Sequence, residues 1–296
     1  MRVFVTGATG FIGSAIVKEL IGAGHQVLGL TRSPQSASTL IAAGAEAHMG
    51  DLTDLESLRS GAAAADGVIH VGFIHDFTRF KEACETDRQA IMVLGEALAG
   101  TERPLIVTSG IGLLAADHLV TEDDVVVSKV NPRMSEQAAD AVAALGVRVS
   151  VVRLPPSVHG KGDHGFVPML IDIAREKGMS VYAGEGLNYW PAVHRTDAAS
   201  LYRLALEHTA APGTRYHGVA EEGIPFRQIA EVIGRRLQLP VVAKSPEEAA
   251  QHFSWFAHFA AMNIRASAAH TMAVLGWQPT QPGLIADIDH EQYFAG

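Results

Sequence analysis

The chain has a single cysteine, Cys84, among 296 residues. One thiol excludes a disulfide framework and a cysteine-based zinc site. The sequence also has no apolar run long enough to cross a membrane. It shows no signal-peptide pattern, because Arg2 leads directly into a strand-like run. We therefore expect a cytoplasmic protein.

Clusters of positive charge are also absent. The 23 Lys and Arg residues are scattered and are outnumbered by 32 Asp and Glu residues, which gives a formal net charge of −9. Nucleic acids and anionic membranes are bound by clustered basic residues, so neither partner is expected. The hydrophobic content of 48% is enough for one large domain or two joined domains. A small-molecule substrate is the expected partner.

The first half of the chain alternates short apolar runs with amphipathic helical segments. The runs are nearly continuously apolar, as strands covered on both faces must be. Strands are predicted over residues 2–6, 25–30, 46–49, 66–71, 104–109 and 147–154, and helices over 11–24, 34–43, 54–62, 76–100 and 132–145. This order predicts parallel βαβ units and an α/β fold with a Rossmann-type doubly wound parallel sheet.

The regular alternation fades after about residue 155. Helices are predicted over 166–178, 196–208, 225–238, 246–262, 267–275 and 283–293, with short strands near 180–183, 214–219 and 240–243. We interpret this part as a smaller α/β C-terminal substrate lobe. The predicted dinucleotide-binding domain covers 1–160 and regains 191–219, and the lobe covers 161–190 and 220–296.

A glycine-rich segment, VTGATGFIG at 5–13, follows the first predicted strand and opens the first predicted helix. Gly7 permits the tight turn, Gly10 leaves space for a pyrophosphate, and Gly13 allows close helix–strand packing. The helix N-terminus then offers free N–H groups to the phosphates. An ordinary glycine-rich turn is the alternative. The predicted cofactor loop comprises Gly7, Thr9, Gly10, Phe11, Ile12 and Gly13.

The end of the second strand bears on the choice of dinucleotide. An NAD site usually has an acid there for the ribose hydroxyls. Here the strand ends Thr31-Arg32-Ser33, and the nearest acids in sequence are Glu19, in the first helix, and Glu46, in the third strand. A guanidinium can pair with a 2′-phosphate, and neighbouring hydroxyls can add contacts. Arg32 and Ser33 therefore predict NADP, with NAD as the less favoured cofactor, unless Arg32 is merely a solvated surface residue.

Four motifs occur in a recognisable order. They are TGATGFIG at 6–13, GDLTD at 50–54, TSG at 108–110 and RLPPSVHGKG at 153–162. Together they resemble the extended and atypical short-chain dehydrogenase/reductase superfamily, in its NAD-dependent epimerase/dehydratase branch, over nearly the whole chain.

The resemblance implies further cofactor contacts. They are Asp51 and Leu52 at the adenine, Val71, Gly72 and Phe73 along the ribose and pyrophosphate, Thr108 beside the nicotinamide, and Pro155 and Val158 on its far side. In this family a Tyr-x-x-x-Lys pair follows the fifth strand and exchanges a proton with the substrate.

That pair is missing here, because the first tyrosine of the chain is Tyr182. Counting back from the sixth strand places Asn131 at the tyrosine position and Ser135 at the lysine position. Counting forward from Ser109 places Met134 at the tyrosine position. None of these side chains exchanges a proton near neutral pH. The chain is therefore interpreted as an atypical member.

Other residues are candidates for the missing chemistry. Ser109 keeps the family's hydroxyl position and can hydrogen-bond a substrate carbonyl. Histidine titrates near neutral pH and is the expected proton source. The candidate histidines are His75, His159, His164 and His194. Each has a structural alternative, and His75 with Asp76 could simply cap the fourth helix. No spacing matches a metal-ligand motif, so no metal is predicted.

We therefore expect an NADPH-dependent oxidoreductase that transfers a hydride to a small carbonyl, imine or activated alkene. A non-catalytic NADP(H)-binding regulator of the same fold is the alternative. An NAD-dependent epimerase or dehydratase is less favoured, because that chemistry needs the missing base more. The resemblance also implies a homodimer formed by 76–100 and 132–145, unless the stripe of Ile91, Leu94 and Leu98 only covers the sheet.

Overall fold

A computed structural model describes residues 1–114, 117–126 and 132–295. These residues contain fourteen strands. They are β1 (Arg2–Thr6), β2 (Gln26–Thr31), β3 (Glu46–Met49), β4 (Gly67–His70), β5 (Leu105–Gly110), β6 (Leu119–Val120), β7 (Val149–Leu154), β8 (Ser157–His159), β9 (Ser180–Ala183), β10 (Tyr189–His194), β11 (Thr214–His217), β12 (Glu221–Pro225), β13 (Val241–Lys244) and β14 (Arg265–Ala266).

The helices connect these strands and cover the sheet. They are α1 (Phe11–Gly22), α2 (Pro34–Ala42), α3 (Leu55–Ala63), α4 (Phe80–Leu98), α5 (Ser135–Ala144), α6 (Phe166–Lys177), α7 (Arg195–Glu207), α8 (Phe226–Leu237), α9 (Pro246–Phe253), α10 (Ala257–Ala260), α11 (Ala269–Leu275) and α12 (Leu284–Ile288). Short 3₁₀ turns occur at Phe77–Arg79, Ile111–Leu113, Ser254–Phe256 and Glu291–Tyr293. In the described ranges, no helix is long and apolar enough to span a membrane.

Seven strands form one parallel sheet in the order β11-β7-β5-β4-β1-β2-β3. This confirms the predicted α/β fold with a Rossmann-type doubly wound sheet. The strand order reverses between β1 and β4, and ligands of such sheets bind beyond the carboxyl ends of the strands at this switch point. The predicted glycine loop follows β1 directly, so it lies at this edge.

Both faces of the sheet are covered by helices. On one face α1 packs with α7, and on the other α3, α4 and α5 pack side by side. The stripe of Ile91, Leu94 and Leu98 lies on α4, is fully buried and packs against the chain's own sheet. That stripe therefore gives no support for an assembly. The homodimer stays a prediction that depends on the resemblance.

Several predicted helices are shorter in the structure, and two of these differences have a local cause. The predicted helix 76–100 begins at Phe80, because the Asp76 carboxylate accepts a hydrogen bond from the Thr78 N–H and holds a separate 3₁₀ turn. The predicted helix 246–262 is interrupted at Ser254, where φ is +51°. This kink leaves Phe256 buried while Trp255 stays 56% exposed.

A small mixed sheet of β12, β10 and β8 was not predicted from the sequence. Pro191 argues against a strand at β10 in the sequence, since proline lacks the N–H that a β-ladder hydrogen bond needs. The structure accommodates it at a register shift between Trp190 and Ala192. Within this sheet Val158 pairs with Val193, and His159 pairs with His194. The sheet thus connects the predicted nicotinamide wall to the segment that returns to the first domain.

The remaining core lies in the C-terminal part of the chain. It is formed by residues from α6, β9, β10, α8, α9 and α12, including the buried rings of Trp190, Phe226 and Phe256. The predicted strand near 214–219 is β11, the edge strand of the seven-stranded sheet. The proposed division into two domains stays a prediction.

Candidate functional site

The glycine loop has no space for a Cβ atom at Gly7 or Gly13. Gly7 has φ +67°, and a Cβ there would lie 2.7 Å from the Gly72 Cα. A Cβ on Gly13 would lie 1.9 Å from the Gly7 carbonyl oxygen. The Gly10 N–H donates to that same oxygen at 2.9 Å, and α1 begins at the next residue, Phe11. The loop therefore packs directly on the end of β4 and leaves a helix N-terminus facing the cleft, the arrangement that binds a pyrophosphate.

Thr9 and Gly10 are exposed at this loop, and Phe11 and Ile12 are half-buried. The Arg195 guanidinium lies 4.6 Å from the centre of the Phe11 ring and donates to the Ser14 hydroxyl at 2.9 Å. Arg195 thus places a cation beside the first turn of α1.

At the far end of the predicted cofactor site, Arg32 is 79% exposed. Its Nε lies 3.8 Å from a carboxylate oxygen of Asp51, which the resemblance assigns to the adenine. The Ser33 hydroxyl is engaged as the N-cap of α2, accepting from the Ser36 N–H at 3.2 Å. The structure therefore places an acid next to Arg32.

The carboxyl end of β4 holds the central part of the predicted site. The Gly72 N–H donates to the Thr6 hydroxyl at 3.2 Å, and the same hydroxyl hydrogen-bonds the His70 ring at 2.8 Å. A Cβ on Gly72 would lie 3.2 Å from the Leu52 side chain. Val71 packs against the core next to these residues. His70 is a buried, hydrogen-bonded residue.

The carboxyl end of β5 presents two hydroxyls with different surroundings. Thr108 donates to the His70 carbonyl at 2.8 Å and shares a 2.7 Å hydrogen bond with Tyr202. Ser109 is 2% exposed and donates to Glu136 at 2.9 Å. A substrate carbonyl would have to displace this bond, so the predicted role of Ser109 stays a prediction.

Glu136 accepts the Ser109 hydrogen bond as a carboxylate. Burial alone would raise its pKa, but hydrogen bonds and charge from Arg153 hold the pKa of Glu136 below its usual value. Arg153 is fully buried and contacts both carboxylate oxygens, at 2.9 and 2.8 Å. This buried pair connects the first turn of α5 to β7.

The stretch expected to hold the catalytic pair lies at the start of α5. Asn131 is outside the described residues. Ser135 is the first residue of α5, and Met134 precedes it, so the helix starts three residues later than predicted. Arg133 donates from Nε to the Ser135 hydroxyl at 3.0 Å and from a terminal nitrogen to the Thr108 carbonyl at 3.3 Å. Its guanidinium lies 4.4 Å from the centre of the Phe73 ring. The structure therefore places a cation at the start of α5, in the stretch where the resemblance predicts the family's pair.

The four candidate histidines form two groups. His75 packs edge-on against Phe73, with ring centres 5.3 Å apart, and His164 packs edge-on against Phe11 at 5.7 Å. His75 is exposed, but partial desolvation by the surrounding protein lowers its pKa. The charges of Arg133 and His164 lower the pKa further. Both histidines therefore line the cleft near Arg133.

The other two histidines are packed together, with ring centres 5.3 Å apart. His159 is 1% exposed, and its Nδ1 lies 2.9 Å from Asp287. Tyr293 donates to the same carboxylate oxygen at 2.9 Å and accepts from the Gly160 N–H at 2.8 Å. Burial and the charge of His159 lower the pKa of His194. This group joins the predicted nicotinamide wall, which includes buried Pro155 and half-buried Val158, to the C-terminal end of the chain.

Asp163 lies in the loop between β8 and α6 and has a raised pKa, which can be tested. Burial raises its pKa to about 6 from 3.8, and the charge of Asp287 adds to the effect, although the Gly165 N–H donates to the carboxylate at 2.7 Å. A raised carboxyl pKa means that the folded protein binds the proton more tightly, so stability falls as pH rises toward and through 6. Asp163→Asn is expected to increase the free energy of unfolding by about 1–3 kcal/mol at pH 8 and by less at pH 5. Urea unfolding at both values measures this.

The control for that experiment is Asp172→Asn, which changes an exposed carboxylate on α6. It should alter the free energy of unfolding by less than about 0.5 kcal/mol at either pH. Destabilisation of Asp163→Asn at pH 8 would contradict the expectation, because it would mean that the carboxylate is stabilising.

Aromatic rings continue from the cofactor edge across the cleft. Phe73 contacts Phe80 at 6.1 Å between ring centres, and Phe80 contacts Phe77 at 6.0 Å. Phe77 contacts Trp255 at 5.8 Å and Phe259 at 5.5 Å, both in the C-terminal part of the chain. Through Phe166 the series reaches Trp190, Phe226, Phe253 and Phe256. Eight of the eleven phenylalanines belong to this series. Trp190, Phe226, Phe253 and Phe256 are buried in the C-terminal core, so the aromatic wall beside Phe73 consists of the partly exposed rings of Phe77, Phe80, Phe259 and Trp255.

Within the described residues there is no group of three or more His, Cys, Asp and Glu side chains that could hold a metal ion.

Comparisons with known proteins identify relatives of this chain. The model of the NAD dependent epimerase/dehydratase family matches residues 3–99. An uncharacterized protein of Schizosaccharomyces pombe, C2A9.02, is 51% identical over 99% of this chain and 100% of its own length. The 2-alkyl-3-oxoalkanoate reductase of Stenotrophomonas maltophilia is 27% identical over 83% of this chain and 78% of its own.

Among solved structures, MoeE5 in complex with UDP-glucose and NAD has the same fold. Its TM-score is 0.76 at 21% identity, and the match covers 100% of this chain and 98% of that one. The chain therefore has a dinucleotide-binding fold of the oxidoreductase type. The chain belongs to the NAD-dependent epimerase/dehydratase family.

Proposed function

We propose that the protein binds NADP(H) and reduces a ketone with an apolar body. The observation that carries this proposal is the position of the aromatic rings beside the glycine loop. The loop packs against Gly72, and the next residue, Phe73, begins the aromatic wall. Apolar rings favour an apolar substrate, since burial of apolar surface supplies the binding energy. The name of the reductase relative, which specifies an alkyl-substituted oxo acid, supports the same class.

The residues present fit a dinucleotide. Gly7 and Gly13 allow the close packing of the loop, and exposed Gly10 leaves the backbone open to phosphate oxygens. The N-terminus of α1 supplies N–H groups and positive dipole. Arg195 adds a cation beside Ser14 in the same turn. When bound, the nicotinamide would supply the hydride. The protein would orient the ketone, exclude water and deliver the proton.

We expect Arg32 to select NADPH. Arg32→Ala should weaken NADPH binding by about 1.5–3 kcal/mol and leave NADH binding nearly unchanged, because only NADPH carries the 2′-phosphate. Fluorescence titration with both dinucleotides measures this. Asp51→Asn is the companion variant: removal of the carboxylate 3.8 Å from Arg32 should strengthen NADPH binding. Equal losses for both cofactors in Arg32→Ala would show that Arg32 does not read the phosphate.

The test of the activity is NADPH oxidation against a substrate panel. The panel contains alkyl and aryl ketones, 3-oxo acids, imines and activated alkenes, with UDP-glucose as the representative of sugar-nucleotide chemistry. Turnover of ketones above all other classes is the expected result. Turnover of UDP-glucose alone would instead favour the epimerase or dehydratase alternative.

A non-catalytic NADP(H)-binding regulator is the second candidate. The observation that favours it is the lack of any tyrosine before Tyr182, which removes the family's usual proton donor. Tight NADPH binding with no turnover of any member of the panel would support this candidate against the reductase.

A further inference from the structure

A buried series of hydrogen bonds connects the glycine loop to the start of α5. The Thr6 hydroxyl bonds the His70 ring at 2.8 Å, and the other ring nitrogen of His70 lies 3.2 Å from Asp87. The second oxygen of Asp87 accepts from the Ser135 hydroxyl at 2.6 Å, and Ser135 accepts from Arg133 Nε at 3.0 Å. The members between Thr6 and Arg133 are almost fully buried. The series therefore ends in a single cation at the cleft.

The charge of Asp87 determines which groups donate in the hydrogen bonds that lead to Arg133. Burial would raise the pKa of Asp87, but the hydrogen bond and charge of His70 and the charge of Arg133 hold that pKa below its usual value. Asp87 is thus a carboxylate, so Ser135 must donate to it. The Ser135 oxygen is then free to accept from Arg133, and the guanidinium is held in one orientation.

Two further contacts fix the guanidinium at the carboxyl edge of the sheet. It donates to the Thr108 carbonyl at the end of β5 and stacks on the Phe73 ring beyond β4. A guanidinium over an aromatic face keeps its full charge while it loses part of its hydration. The charge therefore lies between the two strand ends where a substrate would meet the cofactor.

We propose that Arg133 is the catalytic cation that binds the substrate carbonyl oxygen, and that Asp87 and Ser135 are its positioning residues. This inference rests on the proposed ketone reduction. When a hydride joins the carbonyl carbon, the π electrons move to the oxygen, which becomes an alkoxide. A fixed positive charge next to that oxygen stabilises it more than it stabilises the neutral ketone. The alkoxide then takes a proton from a cleft histidine or water, and Arg133 keeps all of its protons.

In this arrangement two groups replace the missing tyrosine–lysine pair. Arg133 stabilises the developing charge, and a separate group supplies the proton. Because arginine stays protonated at any ordinary pH, it cannot be the acid. The stretch 131–135 therefore keeps an electrostatic role without a proton-transfer role.

The first test uses turnover of an accepted ketone. Arg133→Met should lower kcat about 100-fold while NADPH affinity stays within about threefold. Arg133→Lys should recover part of the loss, and millimolar guanidinium chloride should partly restore Arg133→Met, because the free cation can occupy the vacated space. Ser135→Ala should lower kcat by up to about tenfold through a less ordered guanidinium. Arg79→Met, which removes an exposed arginine paired with Glu82, is the control and should keep the full rate.

The second test does not need turnover. Decanoate carries a carboxylate that imitates the alkoxide and an apolar chain that suits the aromatic wall. Calorimetric titration into the NADP⁺-bound protein should show that Arg133→Met binds decanoate at least about tenfold more weakly than the unaltered protein does.

The outcomes separate this inference from the proposed function. Full kcat, or unchanged decanoate affinity, in Arg133→Met would overturn the role of Arg133. The same conclusion follows if kcat and NADPH affinity fall together without rescue by guanidinium, since Arg133 would then support the cofactor or the fold. If the unaltered protein reduces no ketone, the proposed reduction fails, and the decanoate titration still decides whether Arg133 is an anion-binding group.

Discussion

Gly13→Ala is expected to abolish dinucleotide binding. An alanine Cβ at this position would lie 1.9 Å from the Gly7 carbonyl oxygen, which is far inside van der Waals contact. The first turn of α1 must then move away from the loop, and the N–H groups that face the pyrophosphate move with it. Loss of one or two charge-assisted hydrogen bonds corresponds to a decrease in NADPH affinity of about 100-fold or more. Fluorescence titration with NADPH measures the loss, and far-UV circular dichroism checks the fold.

The same helix offers a matched control. Gly22 is the last residue of α1, and a Cβ there would meet nothing within 4 Å. Gly22→Ala should leave NADPH affinity unchanged and slightly stabilise the helix. If Gly13→Ala does not fold, Gly10→Ala is the milder variant, because its Cβ would lie 3.2 Å from the Gly7 oxygen while still crowding the phosphate. Normal NADPH affinity in both loop variants would show that the cofactor lies elsewhere.

The sheet and the glycine loop could be predicted because their signals are local. Each central strand is a short, continuous apolar run, and Gly7, Gly10 and Gly13 lie within seven residues of one another. By contrast, β8 has three residues, β10 contains Pro191, and both exist because they pair with each other. Pairing between distant segments has no local signal, so this sheet was not predicted.

The environment of Arg32 shows the same limit. The sequence suggested Glu19 and Glu46 as its nearest acids, but Glu19 bonds Arg203 and Glu46 bonds Arg2. The acid beside Arg32 is Asp51. Pairing of Thr31 with Met49 in the β2–β3 ladder brings the residues after these two strands together. That register is a property of the folded sheet and could not be read from the spacing of the charges.

The four histidines predicted as candidates are found in two groups. His159 is held by Asp287, which lies 128 residues away in sequence and is positioned by α12. His75 and His164 instead lie in the cleft, next to Phe73 and Phe11. Which of the four supplies a proton stays a prediction, and the structure favours testing the cleft pair first.

His75→Gln is expected to lower kcat for ketone reduction by about 10²–10³-fold, as loss of a general acid does. Partial desolvation of His75, together with the charges of Arg133 and His164, lowers its pKa from 6.5. An acid must be protonated to act, so kcat of the unaltered protein should be highest at low pH. It should fall as pH rises through a value below 6.5. The pH–rate profile of His75→Gln should lack that titration.

Two companion variants make this result specific. His164→Gln removes a like charge, so the titration of His75 should move to higher pH while most of the rate remains. His25→Gln changes a histidine paired with Glu207 beside the N-terminal end of β2, at the opposite edge of the sheet, and should leave the profile unaltered. If His75→Gln keeps both the rate and the titration, another group or solvent supplies the proton. In that case the same profiles for His159→Gln and His194→Gln distinguish a protein acid from water, because only a protein acid would lose its titration when it is replaced.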